Sequence, residues 1–312
     1  MLDPQAKALL QLIEQTGLPP IWQLDPVSAR RAYREGRGFS QPAAPEMALV
    51  RDLDAPGPLG PIPLRLYRPL GSAAETALPV LIYYHGGGFV IGDRDTHDVL
   101  CRQLSDQSGC AVVSVDYRMA PEHPFPTPVN ECLAATRWIH AQAASLGLDA
   151  SRLAVGGDSA GGSLASVVSL IARDSGDLPI RFQLLIYPGT DIRRSMPSHK
   201  ENANGYLLTI EALDYFVGHY ISEPAHLDDW RASPILRQDL QGLPPALVLV
   251  AGYDPLRDEG IAYGQKLSEA GNRVSVVNFS RQIHGFITMG RVIDEANTAV
   301  SLCATIVRRA LA

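Results

Sequence analysis

The hydrophobic positions of this chain gather into short unbroken runs. Residues 79–84, 111–116, 153–156, 182–187, 246–250 and 274–279 are six of these, rich in Val, Ile, Leu and Ala. Near-continuous apolar runs of this length suit parallel strands covered on both faces. Upstream of them, residues 47–53 and 62–67 read as an antiparallel strand pair at a sheet edge. Helical periodicity fills the gaps over residues 95–107, 128–146, 160–174, 255–270 and 293–311. Eight strands alternating with helices predict an α/β fold, with a mostly parallel sheet flanked by helices and right-handed crossovers.

Two segments break that rhythm. Residues 1–45 carry an amphipathic helix pattern over 5–15, then a stretch punctuated by Pro19, Pro20, Pro26, Pro42 and Pro45. Residues 193–232 hold no strand pattern but include a helix pattern over 211–220, with many aromatic and polar side chains. An insertion above the strand ends of such a sheet is the usual site of a lid. The two segments are therefore expected to form one helical cap over a core made of residues 46–192 and 233–312.

Charge and composition narrow the partners. The net charge is −6 and no basic run occurs, which argues against a nucleic-acid ligand. Cys101, Cys110, Cys132 and Cys303 show no C-x-x-C spacing, and buried free thiols are expected of them, in a reducing compartment. No apolar run approaches the ~18 residues of a membrane span. Asp3, Lys7 and Glu14 interrupt the stretch where a signal peptide needs an apolar core. The expectation is a cytoplasmic protein with no membrane partner.

The chemistry is concentrated in two motifs. Gly157-Asp158-Ser159-Ala160-Gly161 has the G-x-S-x-G form of a nucleophile elbow, a strained strand-to-helix turn that exposes a serine hydroxyl. His85-Gly86-Gly87-Gly88-Phe89 is a run of small residues suited to supply backbone N–H donors for an oxyanion. Gly86, Gly87, Gly88 and Ala160 are the candidate donors, whereas His85 is expected to bond backbone. A phosphate cradle would need G-x-G-x-x-G opening a helix, or a following Gly-Lys-Ser/Thr, and neither is present.

A serine hydroxyl needs a base within reach, and the base needs an orienting acid. On this kind of sheet the partners follow the serine in the order acid, then histidine. Of the histidines after Ser159, His199, His219 and His226 fall in the insertion, whereas His284 follows the last predicted strand by five residues. Asp254, just past the run at 246–250, is the favoured acid. Asp191 is its rival, and Asp258 is a third choice that a helix first turn would explain equally well.

These residues carry a resemblance. His85-Gly-Gly-Gly-Phe89, Tyr117-Arg-Met-Ala-Pro-Glu-His-Pro-Phe-Pro126, Gly157-Asp-Ser-Ala-Gly-Gly162, Asp254-Pro-Leu-Arg-Asp-Glu259 and His284-Gly-Phe286 occur in that order. Together they resemble the hormone-sensitive-lipase-like carboxylesterases, bacterial lipolytic family IV of the α/β-hydrolase superfamily. The resemblance spans residues 46–312, and Asn204-Gly-Tyr-Leu-Leu208 is similar to the family's cap-entry segment. It implies an acyl-enzyme mechanism on Ser159, with His284 and Asp254, acting on short to medium acyl esters without metal or cofactor. It also implies that residues 117–126 brace the oxyanion loop, and that a homodimer forms through the last edge strand.

The substrate pocket is expected to be closed and modest, lined by Phe89, Tyr187, Leu207, Phe216, Phe286 and Ile287. Trp22 and Phe39 would add to its roof. Two other readings use the same scaffold. One is an amidase or deacetylase on a larger acylated substrate, because triad and oxyanion hole serve all acyl transfer. The other is a non-catalytic ligand binder, which would have no need of all three of Ser159, Asp254 and His284.

Overall fold

The computed structural model describes residues 1–73 and 76–312. Its centre is one eight-stranded sheet in the order β1-β2-β4-β3-β5-β6-β7-β8. β1 (Met47–Gly57) and β2 (Gly60–Pro69) form the expected antiparallel pair at one edge. β2 meets β4 (Ala111–Val115) antiparallel, and every later neighbour is parallel. β3 (Leu78–Tyr84), β5 (Leu148–Asp158), β6 (Ile180–Ile186), β7 (Ala246–Tyr253) and β8 (Val274–Ile283) complete it.

The inner strands β3 to β7 are largely buried on both faces, with side chains alternating between two helix-covered layers. The edge strands β1 and β8, the latter expected to be covered, stay mostly exposed along one or both faces. Val80, Ile82, Val113, Val155, Leu185 and Val248 face one apolar layer, which α4 (Thr127–Ala141), α5 (Ala160–Ser175) and α8 (Arg257–Glu269) cover. Leu81, Tyr83, Val112, Ala154, Leu184 and Leu247 face the other, under α3 (Asp98–Ser108) and α9 (Asp294–Ala310). All four cysteines are buried and free.

Several boundaries differ from expectation: β1 runs on to Gly57, β2 spans Gly60–Pro69, and β5 begins at Leu148. β8 continues to Ile283, pairing it with Tyr253, so His284 directly follows the strand. The polar run Ser280-Arg281-Gln282 ends the apolar pattern but not the ladder. The prolines of the N-terminal segment also break less than their number suggests. Pro4 opens α1 (Pro4–Gln15) and Pro26 opens α2 (Pro26–Ser40), each after an aspartate, Asp3 or Asp25, that caps two backbone N–H groups. Proline at the first helical position loses no hydrogen bond, so these residues start helices.

In the insertion lie α6 (Ser198–Glu201) and α7 (Ile210–Tyr220), the latter capped by Thr209. Leu208, Ala212 and Leu256 form a small apolar cluster to which Ile21, Trp22, Leu213 and Phe216 add. The N-terminal segment and the insertion thus share buried surface above the sheet.

Candidate active site

The sheet order brings the motifs together. β3 and β5 are neighbours, so the loop after Tyr84 and the turn after Asp158 emerge side by side. β7 and β8 are also neighbours, so Asp254 and His284 emerge side by side at the same carboxyl-terminal edge. This edge is where open α/β sheets hold their ligands.

Ser159 sits between β5 and α5 with φ 55° and ψ −120°, a region that ordinary side chains rarely occupy. Holding such a conformation costs ~1–3 kcal/mol, and packing must enforce it. Small neighbours make that packing possible. A Cβ on Gly161 would overlap the Tyr84 carbonyl, and one on Gly157 would overlap both that carbonyl and the Gly161 backbone. The Ser159 N–H is fixed by the Ile186 carbonyl at 2.9 Å.

His284 Nε2 lies 2.9 Å from Ser159 Oγ, and His284 Nδ1 lies 2.7 Å from Asp254 Oδ2. Asp254 is fully buried. Its Oδ1 accepts the Leu256 N–H at 2.8 Å, and Asn202 Nδ2 donates to its carbonyl at 3.0 Å. The other two acids are engaged elsewhere. Asp191 accepts from Arg193 Nε at 3.0 Å and from the Ser195 hydroxyl. Asp258 accepts from Arg257 Nε at 2.7 Å and from the Ser198 N–H at 2.9 Å. Among the remaining histidines of the insertion, His199 is 2.7 Å from Glu259, and His219 and His226 pack on Tyr215 and Phe125.

The glycine loop is held by its carbonyls. His85 Nδ1 bonds the Gly86 carbonyl at 2.9 Å, and the Val90 and Ile91 N–H groups bond the Gly87 carbonyl at 3.1 and 3.0 Å. In a trans peptide the C=O and the next N–H point in opposite directions. Fixing those carbonyls therefore aims the Gly87 and Gly88 N–H groups the other way. Among the described residues no protein acceptor takes them, nor the N–H of Ala160 at the start of α5. Gly87 (φ 124°) and Gly88 (φ 60°) occupy backbone regions that favour glycine.

Gly86 is a correction to the expected donor set. Its N–H donates to Asp158 Oδ1 at 3.0 Å, so Gly86 anchors the loop and has no free donor for an oxyanion. Asp158 also accepts the Tyr83 hydroxyl at 2.8 Å, and His97 Nε2 lies 3.3 Å away. Burial opposes its ionisation, yet His97, Tyr83 and Arg37 together hold its carboxyl well below the usual range. His85 is driven the other way: burial, then the nearby His97, lower its pKa to about 4. Neutral His85 with its proton on Nδ1 is the form that the Gly86 carbonyl requires. Tyr117 braces it, stacked at 4.3 Å and donating to the His85 carbonyl at 2.7 Å. Ala120 N–H bonds the Phe89 carbonyl at 2.9 Å, so residues 117–126 do support this loop.

The cavity above Ser159 measures about 1690 Å³, larger than the modest pocket expected. Phe89, Leu207 and Phe216 line it, with Trp22 and Phe39 from the N-terminal segment. It is also not closed, since it runs out to Leu18 and Phe39, both more than half exposed. Tyr187, Phe286 and Ile287 are corrections: all three are buried and lie outside the cavity wall. Tyr187 packs under the His284 ring at 4.6 Å, and Phe286 packs on Tyr187 and Phe279. Asp158 and Asn202 also support the site, outside the residues expected of it. Asp158 was visible as the residue before the serine, whereas nothing in the sequence marks Asn202.

Comparison with known proteins agrees with this architecture. A family model described as the α/β-hydrolase fold matches residues 81–288. An esterase of Mycobacterium tuberculosis, LipI, is 45% identical, with 84% of this chain and 82% of that protein covered. An ethyl acetate hydrolase of Pseudomonas putida is 40% identical, with 95% of each covered. Among solved structures, an α/β-hydrolase enzyme from the metagenome of Lake Arreo, Spain, superposes with a TM-score of 0.96. It is 46% identical, with 99% of this chain and 98% of that chain covered. The chain belongs to the α/β-hydrolase fold family, in its hormone-sensitive-lipase-like branch.

Proposed function

We propose that this protein is a serine carboxylesterase acting on short- to medium-chain acyl esters, with Ser159 as nucleophile. The observation that carries the reading is the bridge His284 makes between Ser159 and Asp254, beside three N–H groups that no protein acceptor takes among the described residues. The relatives named as esterases and as an ethyl acetate hydrolase support the same substrate class.

The steps follow from the geometry. Ser159 Oγ attacks the ester carbonyl while its proton passes to His284 Nε2. Asp254 keeps the other ring proton on Nδ1 and stabilises the resulting imidazolium. Negative charge forms on the carbonyl oxygen, which the N–H groups of Gly87, Gly88 and Ala160 receive. The start of α5 adds the positive end of a helix dipole at that point. The tetrahedral adduct then collapses, the C–O bond to the alcohol breaks, and His284 returns its proton to the departing alkoxide. Water, deprotonated by His284, attacks the acyl-serine and releases the acid with Ser159 restored.

Residues 1–45 and 193–232 act in this reading as one cap enclosing the acyl and alcohol groups, which their shared apolar cluster supports. Four buried free thiols support a reducing, cytoplasmic setting, which cell fractionation tests. β8 supports a homodimer: it is the last strand of the sheet and exposes Val276 along its length. Light scattering at micromolar concentration tests it, and a monomer refutes it.

Hydrolysis of p-nitrophenyl esters from acetyl to dodecanoyl, with Ser159→Ala beside the wild type, tests the central reading. Turnover favouring the shorter chains and abolished by the substitution is expected. No ester turnover, or equal rates in both proteins, overturns it. Turnover of matching anilides in place of esters would move the assignment to an amidase.

A further inference from the structure

Helix α2 carries arginines at positions 30, 34 and 37, a spacing of four and then three that places all three on one helical face. Each is bound to the loops of the site. Arg30 Nε donates to the Val90 carbonyl at 2.8 Å, and its Nη2 donates to the Ala120 carbonyl at 2.8 Å. The same guanidinium pairs with Glu122 at 2.6 Å. Val90 in turn holds the Gly87 carbonyl, so Arg30 reaches the peptide that aims the Gly88 N–H.

Arg34 Nε donates to Asp93 at 3.0 Å. Asp93 accepts the Asp95 and Thr96 N–H groups at 2.9 and 2.7 Å, which closes the far end of the glycine loop. Arg37 turns to the other side. Its Nη1 donates to Thr288 Oγ1 at 2.6 Å, and that hydroxyl donates to the Gly285 carbonyl at 3.0 Å, one residue beyond His284. Tyr33 supports it, with the guanidinium 4.0 Å over its ring. At the helix end the pattern repeats: Gln41 Nε2 bonds the Thr96 carbonyl at 2.7 Å, and Arg291 N–H bonds the Ser40 carbonyl at 3.0 Å.

One helix of the N-terminal segment therefore ties together two loops that lie about 200 residues apart in sequence. We propose that α2 is a strut as well as a lid: Arg30 and Arg34 position the Gly87–Gly88 donors, and Arg37 positions the His284 loop. These are positioning residues, because none of them touches Ser159 or His284 directly. The proposal rests on the esterase reading, since it assigns α2 to the same reaction. A lid that only encloses substrate would affect binding, whereas misplaced donors or base weaken an interaction made in the transition state.

The test uses Arg30→Ala and Arg37→Ala in the full-length protein, with Arg31→Ala as a control from the exposed side of α2. Active sites are counted by stoichiometric release of p-nitrophenolate from a p-nitrophenyl alkylphosphonate. Rates on p-nitrophenyl butanoate are then expressed per active site. The strut predicts kcat lowered on the order of tenfold or more in both variants, with KM changed by less than about threefold. It also predicts that millimolar guanidinium ion restores part of the lost kcat in each, and that Arg31→Ala matches wild type. Unchanged kcat per active site, or a loss that appears only in KM, overturns the proposal while leaving the esterase reading intact. A wild-type protein that releases no p-nitrophenolate from either reagent overturns the esterase reading itself. If either alanine variant fails to fold, Arg30→Lys or Arg37→Lys takes its place, judged by the same kcat and KM criteria.

Discussion

Asp158 Oδ1 accepts the backbone N–H of Gly86 at 3.0 Å, so the residue before the proposed nucleophile also holds the loop of proposed oxyanion donors. β3 and β5 are adjacent strands, and this bond joins their carboxyl ends directly above the sheet. Nucleophile and donors are thereby fixed to one another before substrate arrives, which is the condition for strong transition-state electrostatics.

Asp254 is fully buried, accepts the Leu256 N–H and lies 2.7 Å from His284 Nδ1. Asp254→Asn keeps the shape but removes the charge and permits the wrong imidazole tautomer. A drop in kcat on the order of 10⁴-fold is expected, by analogy with the same change in serine proteases. Asp191→Asn and Asp258→Asn, measured alongside, are expected to retain most activity. A larger loss in either of those would show that the acid is misassigned.

Gly88 offers a test of the cap against the loop. Its φ is 60°, and a Cβ there would overlap the ring of Phe216 on α7. Gly88→Ala is expected to displace the donor and lower kcat on the order of 100-fold, the usual effect of losing one oxyanion donor. Adding Phe216→Ala clears the overlap and should recover part of the loss. The residual deficit reflects the left-handed backbone, which costs a β-carbon residue ~1 kcal/mol. A double variant no better than Gly88→Ala would place the defect in the backbone alone.

His85 predicts a pH dependence of stability. Its folded pKa is lowered to about 4 from 6.5, first by burial and then by His97. Between those values the unfolded chain holds a proton that the folded chain does not. This contribution is therefore complete above pH 6.5 and is lost as pH falls towards about 4. A shift of that size corresponds to about 3 kcal/mol. Asp116, 3.9 Å from His85 Nε2, opposes it: burial, then Asp93, raises its pKa from 3.8 to about 6, so its contribution is lost as pH rises over that range. His85→Asn keeps a donor for the Gly86 carbonyl but removes the titration. Urea unfolding at pH 4.5 and 6.5 should show a smaller acid loss in the variant than in wild type. An equal loss in both would remove His85 as the source.

The sequence disclosed the sheet and the three residues of the proposed triad for a physical reason. Both glycine motifs and both partner positions sit at strand ends, and strand ends follow from apolar runs. What stayed hidden depends on direction rather than position. Tyr187, Phe286 and Ile287 stand near the site in sequence, yet their side chains turn into the core beneath His284. Gly86 belongs to the right loop, but only the fold shows that Asp158 occupies its N–H. Neither α2 nor the role of its arginines was read from the sequence: the prolines masked the helix, and the arginines' targets lie at residues 90, 93 and 288, which no local pattern connects.

Which atom becomes covalently bound decides whether Ser159 is the nucleophile. Wild-type protein is treated with a p-nitrophenyl alkylphosphonate, and p-nitrophenolate release, esterase activity and the modified peptide are followed together. One p-nitrophenolate per chain is expected, with loss of activity in step with its release and the phosphonyl group on Ser159. Phosphonylation at another residue, or hydrolysis that continues after Ser159 is fully modified, would contradict it.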